Sequence, residues 1–249
     1  MAMYVYKDKE RTIEFYAQDA LRKDIGIRYY CPNPDCNAHM YLCSVDGSST
    51  AYFSANRQGF SHIEDCEFGS SNSFNPNKTD ESAFDFQQAL QNMLNPSLST
   101  KKKKVPDTHK TGEFNLKPLS TLRQIYDMCK SFACNQSYNN QVIGQILLDS
   151  RSEYMYLRGV FGSRIIEANK KTGNFYSAQK SEIYLVAPKS KKYEFVLKFS
   201  DDELFRFFRD SIYNNYNKLI VVAGNWGSSG KFNVFQTNIT SKNQIKVMQ

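Results

Sequence analysis

Cys31-Pro32-Asn33-Pro34-Asp35-Cys36 and His62-Ile63-Glu64-Asp65-Cys66 are the two stretches from which the rest of this 249-residue chain is read. The first sets two thiols on either side of a turn stiffened by two prolines. The second supplies an imidazole and a third thiol, a short hairpin's length further on. A structural zinc ion takes four soft or borderline ligands in a tetrahedron, commonly as two close pairs from two turns. Cys31, Cys36, His62 and Cys66 meet that requirement and leave no coordination position open. The expected ion is therefore a scaffold and not a catalyst. His39 and Cys43 are the nearby substitutes should one ligand be misassigned. A segment this short builds little apolar core, and a metal takes its place.

The chain has six cysteines, four of them crowded into residues 31–66. Nothing at the N-terminus reads as a secretory leader, and the longest apolar run, Leu219 to Ala223, is far too short to span a bilayer. A cytoplasmic setting is expected, where clustered cysteines hold metals more often than disulfides.

Around the cysteines, Tyr4–Tyr6 and Thr12–Tyr16 alternate about a charged turn and predict a hairpin. Ala17–Lys23 reads as a short helix, and Met40–Val45 and Thr50–Ala55 as strands about the turn Asp46-Gly47-Ser48. Thr79 or Asp80 is expected to cap a helix over 81–94, ended by Asn95-Pro96. Residues 97–112, with Lys101-Lys102-Lys103-Lys104, are the expected linker between a front module (1–96) and a rear domain (113–249) led by a helix near 119–132.

The front module resembles the N-terminal zinc module of CoiA-like competence proteins. Ala17-Gln18-Asp19-Ala20, Tyr29-Tyr30-Cys31, Ala51-Tyr52-Phe53, Phe60-Ser61-His62 and Cys66 carry the resemblance, which covers about residues 4–94. The helix at Glu81-Ser82 begins where that family starts a nuclease-like domain. The His and Lys which that family's helix tends to carry are Phe84 or Asp85 and Gln88 here, and no Asp followed by Glu-x-Lys is present. The resemblance implies a link to DNA processing, without the nuclease chemistry.

Behind the linker the elements run strand, strand, strand, helix, strand, strand, which resembles a five-stranded OB-fold barrel. The strands are expected at 154–161, 182–186, 193–199, 219–223, 232–237 and 244–248. The helix is expected from a Ser200 cap with Glu203 three residues on. The fold class is thus α+β and β-rich, a small zinc-finger module joined to an OB-like barrel. Alternation along the strands would place Tyr156, Arg158, Tyr184 and Lys198 on one wet face. Trp226, in a Gly-Ser loop beside Lys231, would add a stacking group.

Net charge is +7, but unevenly spread: residues 1–100 carry 8 Lys/Arg against 13 Asp/Glu, and residues 111–249 carry 19 against 11. A basic, tyrosine-rich barrel suits a polyanion, and OB-type barrels hold single strands by stacking bases in a cationic groove. The expected function is non-catalytic binding of nucleic acid, single-stranded DNA first. The alternatives are a protein-interaction adaptor docking a partner through the acidic front, or a degenerate nuclease. All three histidines precede residue 110, which excludes a Ser-His or Cys-His couple within the rear domain. No Walker-type loop or GxGxxG is present. The Asn- and Lys-rich composition suits a low-GC bacterium or its mobile elements.

Overall fold

The computed structural model describes residues 2–45, 50–55, 57, 59–63, 66, 68–69, 74–96 and 116–248. The expected linker 97–112, His109 and the turn Asp46-Gly47-Ser48 lie outside these.

The front folds around an antiparallel sheet of β1 (Tyr4–Tyr6), β2 (Glu14–Tyr16), β3 (Tyr29–Tyr30), β4 (His39–Cys43) and β5 (Tyr52–Ser54), in the order β2-β1-β3-β4-β5. The predicted hairpin forms, with Val5 opposite Phe15. The predicted helix at 17–23 is instead two 3-10 turns, Ala17–Asp19 and Arg22–Asp24. Phe15, Tyr29 and Phe53 meet at ring-centroid distances of 5.3–5.8 Å and fill the sheet's buried face. Helix α1 (Phe86–Leu94) follows, capped by Asp85, whose carboxylate accepts from the Gln88 amide. The cap sits several residues later than Thr79 or Asp80, because Asp80 spends its carboxylate on Ser82 and Ala83.

Helix α2 (Leu122–Ser131) begins at a capping box between Thr121 and Gln124. The short β6 (Ser137–Tyr138), β7 (Gln141–Val142), α3 (Ile143–Ile146) and β8 (Leu147–Leu148) follow it. Ile125, Met128 and Cys129 of α2 and Ile143 share one apolar core with Val5, Met40, Phe53 and Leu90 of the front. The Met3 amide donates to the Ser131 carbonyl at 2.7 Å. The front core thus takes in the helix expected to lead the rear domain. It also reaches Ile165, Val221 and Ala223 on the barrel wall.

The barrel comprises β9 (Gly162–Lys170), β11 (Glu182–Val186), β12 (Glu194–Phe199), β13 (Ile220–Ser228) and β14 (Val234–Ile239). The two-residue β10 (Tyr176–Ser177) pairs with β11, and β15 (Ile245–Val247) with β13. Around the ring, β9 pairs with β11, β11 with β12, β12 in parallel with β14, β14 with β13, and β13 again with β9. The ring is therefore a closed five-stranded barrel. Its interior holds Ile166, Ile183, Leu185, Phe195, Leu197, Val222, Trp226 and Phe235.

Helix α4 (Asp202–Asn214) lies between β12 and β13. Its cap is Asp201, not Ser200, since the Asp201 carboxylate reaches the amides of both Glu203 and Leu204.

The first barrel strand departs from expectation. Residues 153–156 form a 3-10 turn, and β9 starts only at Gly162. Asp149 causes the shift: its carboxylate accepts from the amides of Arg151 and Ser152, a local turn that overrides the β-preference of the tyrosines. Gly159 then turns the chain at φ +103° beneath the Phe235 ring, where a Cβ would lie 2.5 Å from that ring.

Candidate metal centre and barrel groove

Cys31 ends the extended run after β3, and Cys36 closes the proline turn before β4. His62 and Cys66 follow β5. The ligand atoms of Cys31, Cys36, His62 and Cys66 all lie within 4.8 Å of one another. His62 Nδ1 stands 3.5 Å from the sulfurs of both Cys31 and Cys36, and the sulfurs of Cys31 and Cys66 are 3.7 Å apart.

These lengths test the site. With Zn–S bonds of about 2.3 Å and Zn–N bonds of about 2.0–2.1 Å, a tetrahedron has S···S edges near ~3.8 Å and S···N edges near ~3.6 Å. These three edges match, the remaining ones stay within 4.8 Å, and 3.7 Å is far beyond a disulfide bond. The cluster can therefore hold a metal ion, and the donor set is that of a closed structural site.

The three thiols are buried. Hydrogen bonds from Cys31 and His62 hold the Cys66 thiol below its ordinary value against its burial, whereas the hydrogen bond to Cys66 and burial raise Cys31. His39 and Cys43 stand outside the cluster. His39 stacks on Phe60 with ring centroids 3.8 Å apart.

Arg11 was not foreseen from the sequence. It sits in the β1–β2 turn at φ +57°, and its guanidinium donates to the carbonyls of Cys31, Asn33 and Cys36 at 2.9–3.1 Å. It thereby fixes the curvature of the loop that presents the first thiol pair. Asn33 Nδ2 donates to Cys66 Sγ at 3.7 Å, a supporting hydrogen bond to one of the four candidate ligands.

The barrel carries a groove of about 370 Å³ across the outward faces of β11, β12 and β14. Glu182, Tyr184, Val196 and Lys198 form its floor, Lys171, Asn174 and Lys180 one rim, and Ser229 and Lys231 the other. Four lysines face two glutamates there. The glutamates are already engaged: Lys171 pairs with Glu194 at 2.7 Å, and the Tyr184 hydroxyl donates to Glu182 at 2.9 Å.

Three of the six expected nucleic-acid residues, Tyr184, Lys198 and Lys231, line this groove. The others do not. Tyr156 is buried, its hydroxyl donating to the Gly144 carbonyl at 2.6 Å, because the 3-10 turn aims it inward. Arg158 is exposed in the following turn, off any strand. Trp226 lies within β13, which runs to Ser228, past the expected strand end at Ala223; its indole packs on Phe195 and donates to the Arg164 carbonyl.

The aromatic residue that the β13–β14 loop exposes is Phe232, at 92 %. It follows Gly230 and Lys231 directly, and an apolar residue just after a Gly-Ser turn was the available signal.

Among the described residues no helix is long and apolar enough to cross a membrane. No family model matches the chain, and comparison with curated proteins and with solved structures finds no match either.

Proposed function

We propose that this chain is a non-catalytic protein that binds single-stranded nucleic acid, DNA in the first instance, through an OB-type barrel steadied by a zinc-nucleated front module. The observation that carries the reading is the groove itself. In an OB-fold, single strands lie across the second and third strands, between the loops joining strands one to two and four to five. Counting β9, β11, β12, β13 and β14 as strands one to five, the groove occupies that position. The strand order one-two-three-five-four, with three and five parallel and a helix between three and four, supports the same identification.

Its chemistry suits the ligand. Lys171, Lys180, Lys198 and Lys231 border a path for phosphates, Tyr184 offers a ring along the floor, and Phe232, next in sequence to Lys231, is exposed to solvent. Each stacked base contributes roughly 1–3 kcal/mol and needs no sequence preference. At the cysteine cluster the proposed ion is Zn2+, with the three thiolates and His62 Nδ1 as ligands. It supplies folding energy to the front and no chemistry.

A titration of a fluorescent oligothymidylate tests the reading. Affinity should fall steeply with salt, as expected where several lysines displace counterions. Absence of binding at low salt would remove it.

One observation favours a second role for the front. Ile13, Leu21, Ile25, Ile27 and Phe60 are exposed on an acidic module, which suits a protein partner with a basic rim. Partners recovered after nuclease treatment would support that role.

A further inference from the structure

We propose that the bound single strand continues past the groove, over the β9–β11 loop, onto a second aromatic and cationic surface built by the end of β9 and by α4. This rests on the groove being a nucleic-acid site.

Lys170 and Lys171 are consecutive at the end of β9 and diverge. Lys171 turns to the groove and pairs with Glu194. Lys170 turns the other way, its ammonium lying 5.0 Å from the Phe175 ring centroid, 5.9 Å from Tyr213 and 5.4 Å from Tyr216.

The loop between them links the two surfaces. Asn174 and Lys180 line the groove, while Tyr176, lying between them in sequence, packs against Phe175 at 5.1 Å and Phe205 of α4 at 6.3 Å. The Arg209 guanidinium stands 5.8 Å from the Tyr176 ring.

Tyr176, Tyr213 and Tyr216 are 41 %, 66 % and 63 % exposed, which is unusual for three tyrosines gathered on one side of a small barrel. The buried cluster on this side of the barrel is made of Phe199, Leu204, Phe205, Phe208 and Ile212, and none of the three tyrosines belongs to it.

Exposed rings with a cation over one face are the elements that hold unpaired bases. Only a single strand, with its bases unstacked and free to turn, could use both the groove and this surface. A duplex presents no base faces to either.

The experiment uses the full-length protein and two fluorescent oligothymidylates. One is about 5 nucleotides, short enough for the groove alone; the other is about 20, beyond the ~4–16 that a single OB-type barrel covers. Tyr213→Ala with Tyr216→Ala should weaken the long oligomer roughly 10-fold or more and leave the short one unchanged. Tyr213→Phe with Tyr216→Phe should keep wild-type affinity for both, and Lys198→Glu should weaken both. Unchanged long-oligomer affinity in the alanine pair, or equal weakening of both lengths, overturns the extended path while leaving the groove intact. Wild-type protein that binds neither oligomer overturns the groove reading and this one with it.

Discussion

The Lys130 ammonium of α2 lies 3.0 Å from the Glu167 carboxylate of β9, both side chains buried, so a helix of the front core is locked to the barrel wall by a charge pair. Lys130 also reaches Asp149 at 3.1 Å, and the Tyr126 hydroxyl donates to Glu167 at 2.8 Å. Removing one partner of a buried pair leaves an uncompensated charge and costs about 3–5 kcal/mol. Lys130→Met should therefore lower the urea midpoint by that order of free energy. The double variant Lys130→Met with Glu167→Gln should recover part of the loss, because the stranded carboxylate is gone. A non-additive cycle would show the pair fastening the two halves; a neutral Lys130→Met would refute that.

The neighbouring carboxyl sets an acid limb. Burial alone would raise Asp149, but the charges of Arg151, at 2.8 Å, and Lys130 hold it well below the usual carboxylate range. A depressed folded value means the stabilisation is fully present above the unfolded value of about 3.9 and fades as pH falls through and below it. Stability of the wild type should thus decline below about pH 4, and Asp149→Asn should flatten that decline while lowering stability at neutral pH. Denaturant melts between about pH 2.5 and 7 read both effects.

The metal site predicts a graded mutational series. Elemental analysis should find one zinc bound in stoichiometric amount, lost on Cys66→Ser and retained on Cys43→Ser. Arg11→Met keeps all four ligands but releases the carbonyls of Cys31, Asn33 and Cys36. Supporting partners of metal ligands typically contribute 10–100-fold to affinity, so competition with a chromogenic chelator should show a loss of about that size. Full retention in Arg11→Met would mean that the loop holds its shape unaided.

How much of this was legible in the sequence follows from the range of the forces involved. The four ligands stood out because tetrahedral coordination constrains spacing directly, whereas Arg11 acts on backbone carbonyls and leaves no side-chain pattern. Strict alternation disclosed β11 and β12, with Ile183, Leu185, Phe195 and Leu197 buried and Tyr184 and Lys198 facing out. The same rule failed at Tyr154–Phe161, where the Asp149 turn and Gly159 dictate a path that β-propensity cannot register. Helix α2 was recognisable as an amphipathic helix from Leu122, Ile125, Tyr126 and Cys129. Periodicity identifies a buried face but not its partner, and that partner is the front core and not the barrel alone.

The β13–β14 loop gives the sharpest test of the groove. Trp226 and Phe232 are both aromatic and close in sequence, but the first is 3 % exposed against Phe195 and the second 92 % exposed beside Lys231. If the groove holds bases, Phe232→Ala should weaken oligothymidylate binding by roughly 1–3 kcal/mol with the melting curve unchanged. Trp226→Phe should do the reverse, leaving affinity near wild type while lowering stability, since it removes the indole donor to the Arg164 carbonyl and part of the core volume. Lys231→Glu should add like charge at the rim and reduce the slope of log affinity against log salt by about the share of a displaced counterion or more. Binding that depends on Trp226 and ignores Phe232 would place the ligand somewhere other than this groove.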